Sequence, residues 1–116
     1  MNNIKIFRAN RGEGKTKWLA ARIKECAGTG GNLYYVGGQA TFDAVKRVYE
    51  SLYKTICPLQ RGDSVQLTPD DSFFTDELID NIIIAARYKP YIVENGCNWY
   101  ITMSKEVFVD CGDDNA

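Results

Sequence analysis

Histidine is missing from this chain altogether. Its absence removes Ser-His and Cys-His nucleophilic catalysis and any imidazole general base. The four cysteines, Cys26, Cys57, Cys97 and Cys111, include no Cys-x-x-Cys pair, so a zinc site would have to gather scattered thiols. Reduced thiols in a cytoplasmic compartment are expected. No apolar run approaches the roughly 20 residues that a membrane span needs, and no membrane partner is expected. Met1-Asn2-Asn3 leads straight into a strand-like segment, so no secretory leader is expected either. An excess of one charge is lacking as well: 14 basic and 15 acidic residues leave a net charge of -1. The basic footprint of a general nucleic-acid binder is therefore absent, and nucleic acid is a partner without support from net charge. Lys46, Arg47, Lys54 and Arg61 fall close together, and they read as a solvated face.

What is present is an ordinary globular composition, 116 residues with 45% hydrophobic and 25% charged. That length fits one domain over residues 1–116, able to bury roughly two-thirds of its unfolded surface without staples. Ile4 to Ala9 reads as a strand, followed at once by a glycine-rich turn. Trp18, Leu19, Ile23 and Cys26 then give an apolar helical stripe, ended by Gly28-Thr29-Gly30-Gly31. Asn32 to Val36 is a second strand, and Phe42, Val45, Val48, Tyr49 and Leu52 mark a second helix over Thr41–Tyr53. Ile56-Cys57-Pro58-Leu59 suits a short edge strand, since proline cannot donate to a central ladder. Ser72 to Thr75 runs into Asp76-Glu77. Leu78, Ile79, Ile82, Ile83 and Ala86 form a third helical stripe, predicted to stop near Lys89-Pro90. Tyr91–Glu94 and Trp99–Met103 flank Asn95-Gly96, a hairpin signal. Val107-Phe108-Val109 is a last short strand before a frayed polar tail, 110–116. The seven tyrosines, Tyr34, Tyr35, Tyr49, Tyr53, Tyr88, Tyr91 and Tyr100, read as core and half-buried packing in preference to base-stacking platforms. The alternation of strands and helices is that of a parallel α/β sheet.

The turn after the first strand carries chemistry. In Ala9-Asn10-Arg11-Gly12-Glu13-Gly14-Lys15-Thr16, glycines let backbone N–H groups converge on phosphate oxygens with no Cβ in the way. The helix that follows directs its positive end at the same anion. Lys15 adds a mobile charge for the β- and γ-phosphates, and the Thr16 hydroxyl can ligate Mg²⁺. The segment resembles the Walker A motif of P-loop NTPases, with Gly12, Gly14, Lys15 and Thr16 matching and Ala9 standing where a glycine is usual. Lys15 is expected to face solvent when no nucleotide is bound. Glu13, awkward beside phosphates, is expected to turn its side chain outward and its N–H inward. The resemblance implies a three-layer, mostly parallel sheet with helices on both faces and the nucleotide at the C-terminal ends of the strands.

Phe73-Phe74-Thr75-Asp76-Glu77, whose Asp lies 61 positions after Lys15, resembles a Walker B motif. The resemblance implies that Asp76 holds Mg²⁺ through a water and that Glu77 polarises the attacking water. The bland reading makes Thr75 a helix cap, with Asp76 and Glu77 complementing the helix dipole. Asp110, after Val107-Phe108-Val109, is the rival site for the metal-binding carboxylate. The strand Trp99–Ser104 resembles the one that follows Walker B in the branch containing helicases and motor proteins. Thr102 or Ser104 would there hold the polar sensor position. The leading expectation is a nucleoside triphosphate-binding protein with Mg²⁺, ATP ahead of GTP, and a slow ATPase of the small, phage-like kind. A homo-oligomer or a protein partner could supply the arginine that fast members of the family receive, because neither Arg11, Arg61 nor Arg87 is identifiable as a self-supplied one. Two alternatives stand beside it. One is a nucleotide-binding or vestigial P-loop module that works through a protein partner. The other is a small nucleoside or nucleotide kinase, for which an acceptor region and lid are hard to fit and no Asp-Arg pair follows a strand.

Overall fold

The computed structural model describes residues 3–10, 12–48, 56–59 and 66–105. Strand β1 (Ile4–Ala9) leads through the glycine turn into helix α1 (Lys15–Cys26), then β2 (Leu33–Val36) and α2 (Gln39–Val48). Strands β3 (Ile56–Leu59) and β4 (Ser72–Thr75) follow, then a 3-10 turn at Leu78–Asn81, α3 (Ile82–Glu94) and β5 (Asn98–Ser104). The strands form one sheet in the order β1-β5-β4-β2-β3, and each described pairing is parallel. Parallel neighbours need crossovers, which the three helices provide.

Strand pleating divides the core between the two faces. On one side Leu33, Tyr35 and Phe74 meet Leu19, Ile23 and Cys26 of α1 and Phe42 and Val45 of α2. On the other, Tyr34, Val36, Phe73, Trp99, Ile101 and Met103 meet Ala85, Tyr88 and Ile92 of α3. The central strands are buried on both sides, so β2 reads as a continuous rather than alternating apolar run, and all four residues of β4 are buried. Phe73 and Phe74, wholly buried on opposite faces, each contribute on the order of 1.5–3 kcal/mol of transfer free energy. Trp18 is half-buried, stacked on Phe7 of β1 at 5.2 Å.

The edge position foreseen for Ile56–Leu59 is observed: β3 ends the sheet order beside β2. Of the second helical stripe, Phe42 and Val45 are buried as foreseen, while Tyr49, Leu52 and Tyr53 lie outside the described residues, as do Val107-Phe108-Val109 and Asp110.

The C-terminal third departs from the sequence reading. Tyr91–Glu94 is no strand but the last turn of α3, which runs through Pro90. Asn95-Gly96 is consequently a helix end and not a hairpin. Gly96, at φ 70, follows the C-cap; its N–H donates to Val93 O and that of Cys97 to Ile92 O, both at 3.1 Å. Those two bonds and the left-handed glycine make a Schellman motif, and the contact between Cys97 and Ile92 in the core completes it. Pro90 is tolerated because it sits on the exposed side of α3.

The third apolar stripe is also corrected. Ala85, Tyr88 and Ile92 carry the buried face, while Ile79, Ile82 and Ile83 are exposed, Ile83 at 64%. Ile82-Ile83-Ile84-Ala85-Ala86 is apolar on every side, so its periodicity names no face.

Candidate functional site

The sheet order determines which loops meet. Because β5 lies between β1 and β4, the C-terminal ends of these three strands are neighbours, with Ala9 opposite Ser104 and Thr75 opposite Ile101. The glycine loop therefore opens beside Asp76-Glu77, although the two are distant in sequence.

Gly12 and Gly14 take φ values of 83 and 87, the left-handed region that favours glycine. Gly14 is the N-cap of α1 and provides no side chain; no acidic residue occupies the first turn. The first N–H groups of α1 have no side-chain cap, which is the condition for receiving an anion. Lys15 does not face solvent as foreseen. Its side chain is only 8% exposed; Nζ donates to Ala9 O at 3.3 Å and pairs with Glu77 Oε2 at 3.4 Å. A lone ammonium would lose hydration beneath the loop, and these two oxygens replace it. Glu13 also differs from expectation. It is exposed, but its carboxylate accepts the Asn10 N–H at 2.6 Å and its own N–H donates to Asn10 O at 3.1 Å. Both groups close the loop on itself. Asn10 and Gly12 are exposed along it, and Arg11 lies outside the described residues.

Asp76 and Glu77 leave the end of β4. The Thr16 hydroxyl donates to Asp76 Oδ2 at 3.2 Å, and the Thr102 hydroxyl, wholly buried, donates to Asp76 Oδ1. Thr102 Oγ1 also accepts the Glu77 N–H at 2.9 Å. Glu77 has φ 56, the one non-glycine residue at positive φ among those described, a strained conformation for an L residue. Ser104 lies at the end of β5 opposite Ala9, half-buried. Thr102 thus stands at the carboxylates and Ser104 at the root of the loop. Thr75 is not a helix cap: its hydroxyl donates to Val36 O at 2.8 Å and accepts the Trp99 indole N–H at 2.9 Å.

Sequence reading missed three polar side chains. Tyr35, taken as packing, accepts the Asp76 N–H on its hydroxyl at 3.2 Å, and that hydroxyl donates to Thr41 Oγ1 at 2.6 Å. Burial pushes the Tyr35 phenol well above the usual range, so it stays a neutral donor and acceptor. Asn81 is the third, with Nδ2 on Asp76 O and Glu77 O. The signal was present but ambiguous, since an asparagine ahead of an isoleucine run reads as an ordinary helix cap.

Thr16 and Asp76 offer Mg²⁺ two hard oxygen donors at adjacent positions, the kind this ion accepts while keeping waters and phosphate oxygens in its remaining sites. Among the described residues no group of three His, Cys, Asp or Glu could hold a metal ion by itself, and no helix is long and apolar enough to cross a membrane. No family model matches the chain, and no curated protein or solved structure matches it.

Proposed function

We propose that the chain binds a nucleoside triphosphate with Mg²⁺ at the glycine loop and hydrolyses it slowly. One observation carries the reading: Thr16 Oγ1 lies 3.2 Å from Asp76 Oδ2, although 60 positions separate them. The Walker resemblance assigns these two oxygens to the metal, and a chance glycine turn would have no reason to meet a carboxylate from another strand.

Each side chain has a role in this reading. The loop backbone and the uncapped start of α1 bind the β- and γ-phosphates. Lys15 exchanges its bonds to Ala9 O and Glu77 for phosphate oxygens. Thr16 and Asp76 would hold Mg²⁺, which would supply charge neutralisation at the phosphates. Glu77, released from Lys15, accepts a proton from the attacking water. Thr102 keeps the two carboxylates in register. The ion pair between Lys15 and Glu77 supports the reading, because it brings the proposed phosphate-binding cation and the proposed base together.

The test is a pair of near-isosteric substitutions. Glu77→Gln should leave nucleotide binding in place and lower turnover by about 10²–10⁴, the range for a positioned general base. Asp76→Asn should instead weaken the Mg²⁺-dependent part of binding. Unchanged binding and turnover in both variants would refute the reading.

A second reading, a nucleotide-binding module acting through a protein partner, is favoured by one specific observation. Ile79, Ile82 and Ile83 are exposed directly after Glu77, and with Gly38 and Asn81 they line a cavity of about 360 Å³. Binding without turnover would select it.

A further inference from the structure

Asn81 occupies the residue before α3, where asparagine ordinarily turns its side chain back to cap the first helical N–H groups. Here it makes no such bond. Its amide is committed elsewhere. Nδ2 donates toward Asp76 O at 2.8 Å, Thr41 Oγ1 at 3.1 Å and Glu77 O at 3.2 Å. Oδ1 accepts the Gly38 N–H at 2.7 Å and lies 3.4 Å from the Thr41 hydroxyl. The side chain is buried, so these bonds are not shared with bulk water.

The approach is close enough to dictate the neighbouring sequence. A Cβ on Gly37 would come within 2.7 Å of the Tyr35 ring and 3.0 Å of Asn81 Cγ, so the β2–α2 junction needs glycine there to receive the amide. The bonds converge on the two residues of the carboxylate turn. Glu77 is strained at φ 56, and both of its flanking peptide planes are held: its N–H by Thr102, its C=O by Asn81. Asp76 is held by the Tyr35 hydroxyl at its N–H and by Asn81 at its C=O. Asn81 itself bonds no residue of the glycine loop; the turn it holds meets that loop through Asp76 with Thr16 and Glu77 with Lys15.

We propose that Asn81 is a positioning residue of the hydrolytic site: it fixes the left-handed turn that aims the Glu77 carboxylate and fastens that turn to the Gly37-Gly38-Thr41 junction. The inference rests on the nucleotide-hydrolysing reading. It states that Asn81 acts on the rate through Glu77 more strongly than on the affinity, which the loop dominates and to which the turn contributes only through Asp76.

Asn81→Asp keeps the size and the acceptor facing Gly38 while removing every donor. Steady-state hydrolysis of Mg-ATP should show kcat lowered by at least about 10-fold, as expected for a displaced catalytic group, with KM changed by a clearly smaller factor. Thr41→Val, which removes one partner of the amide, should lower kcat less, again with the smaller change in KM, and it carries the test if the first variant does not fold. A second readout is independent of turnover. By NMR, hydrogen exchange at the Glu77 amide should accelerate about 10-fold in Asn81→Asp, while amides within α1 keep their parental rates. Parental kcat in folded Asn81→Asp, or a rise in KM equal to the fall in kcat, would overturn the inference and leave the proposed hydrolysis standing. If the parent itself shows no turnover, the hydrolytic reading fails, and unchanged Glu77 exchange would overturn the positional claim separately.

Discussion

Thr102→Val keeps the shape of a wholly buried side chain and deletes one hydroxyl. That hydroxyl makes two bonds, donating to Asp76 Oδ1 and accepting the Glu77 N–H at 2.9 Å. Leaving a fully buried N–H without an acceptor costs about 1–3 kcal/mol, the low end applying to this part-buried one, and a hydrogen bond to a carboxylate is worth about 1.5–3 kcal/mol. The two losses share one atom and do not add fully, so a net destabilisation of about 3 kcal/mol is expected. For a domain of this size, each kcal/mol lowers Tm by about 4 °C, giving a fall of about 12 °C. Calorimetry of parent and variant without nucleotide measures this directly, and hydrolysis at a temperature where both are folded reports the catalytic part. The variant should also hydrolyse more slowly, because Glu77 loses one of the two bonds that hold its strained turn. A stability change below about 0.5 kcal/mol together with parental turnover would refute the assignment of Thr102 to the carboxylates.

Two further substitutions test other links. Gly14→Ala forces a side chain into the left-handed region at φ 87 where no neighbouring atom lies within 4 Å, so the cost is the backbone's own, about 1–2 kcal/mol, readable from urea midpoints. No measurable loss would mean that the loop adopts another conformation. Burial, reinforced by the nearby Asp71 carboxylate, pushes the Cys97 thiol up from an ordinary value of 9.0 to about 11. The folded state therefore keeps its proton longer than the unfolded one. The stabilisation is complete below pH 9 and disappears as the pH rises toward 11. Parent protein should lose more stability than Cys97→Ala between pH 9 and 11, and parallel curves would contradict this.

Much of the first half of the fold was legible because its signals are local. The strand before the glycines, the residues able to take φ 83 and 87, and the stripe through Leu19, Ile23 and Cys26 all act within a few positions. Asp76 could be matched to Thr16 only through a motif, since the contact depends on β5 entering between β1 and β4. The errors lie where local signals are two-valued. Asn-Gly serves a hairpin or a helix end, and the choice fell to Cys97 and Ile92 closing together in the core. Five consecutive apolar residues, Ile82 to Ala86, have no preferred face until the sheet supplies one. The side chains of Tyr35, Thr41 and Asn81 were invisible for a different reason. Their hydroxyls and amide act across strands, and each residue type has a common structural use that explains its presence.

The central claim is that the glycine loop binds triphosphate and that Lys15 is the cation it uses. Isothermal titration calorimetry of ATP into the parent and into Lys15→Ala, with and without Mg²⁺, tests it most directly. Mg²⁺-dependent binding to the parent, lost in the variant, is expected. Nucleotide at ~100 times its dissociation constant should correspondingly stabilise the parent alone by about 2.7 kcal/mol. Absence of binding to the parent at millimolar ATP or GTP, or equal binding by Lys15→Ala, would contradict it.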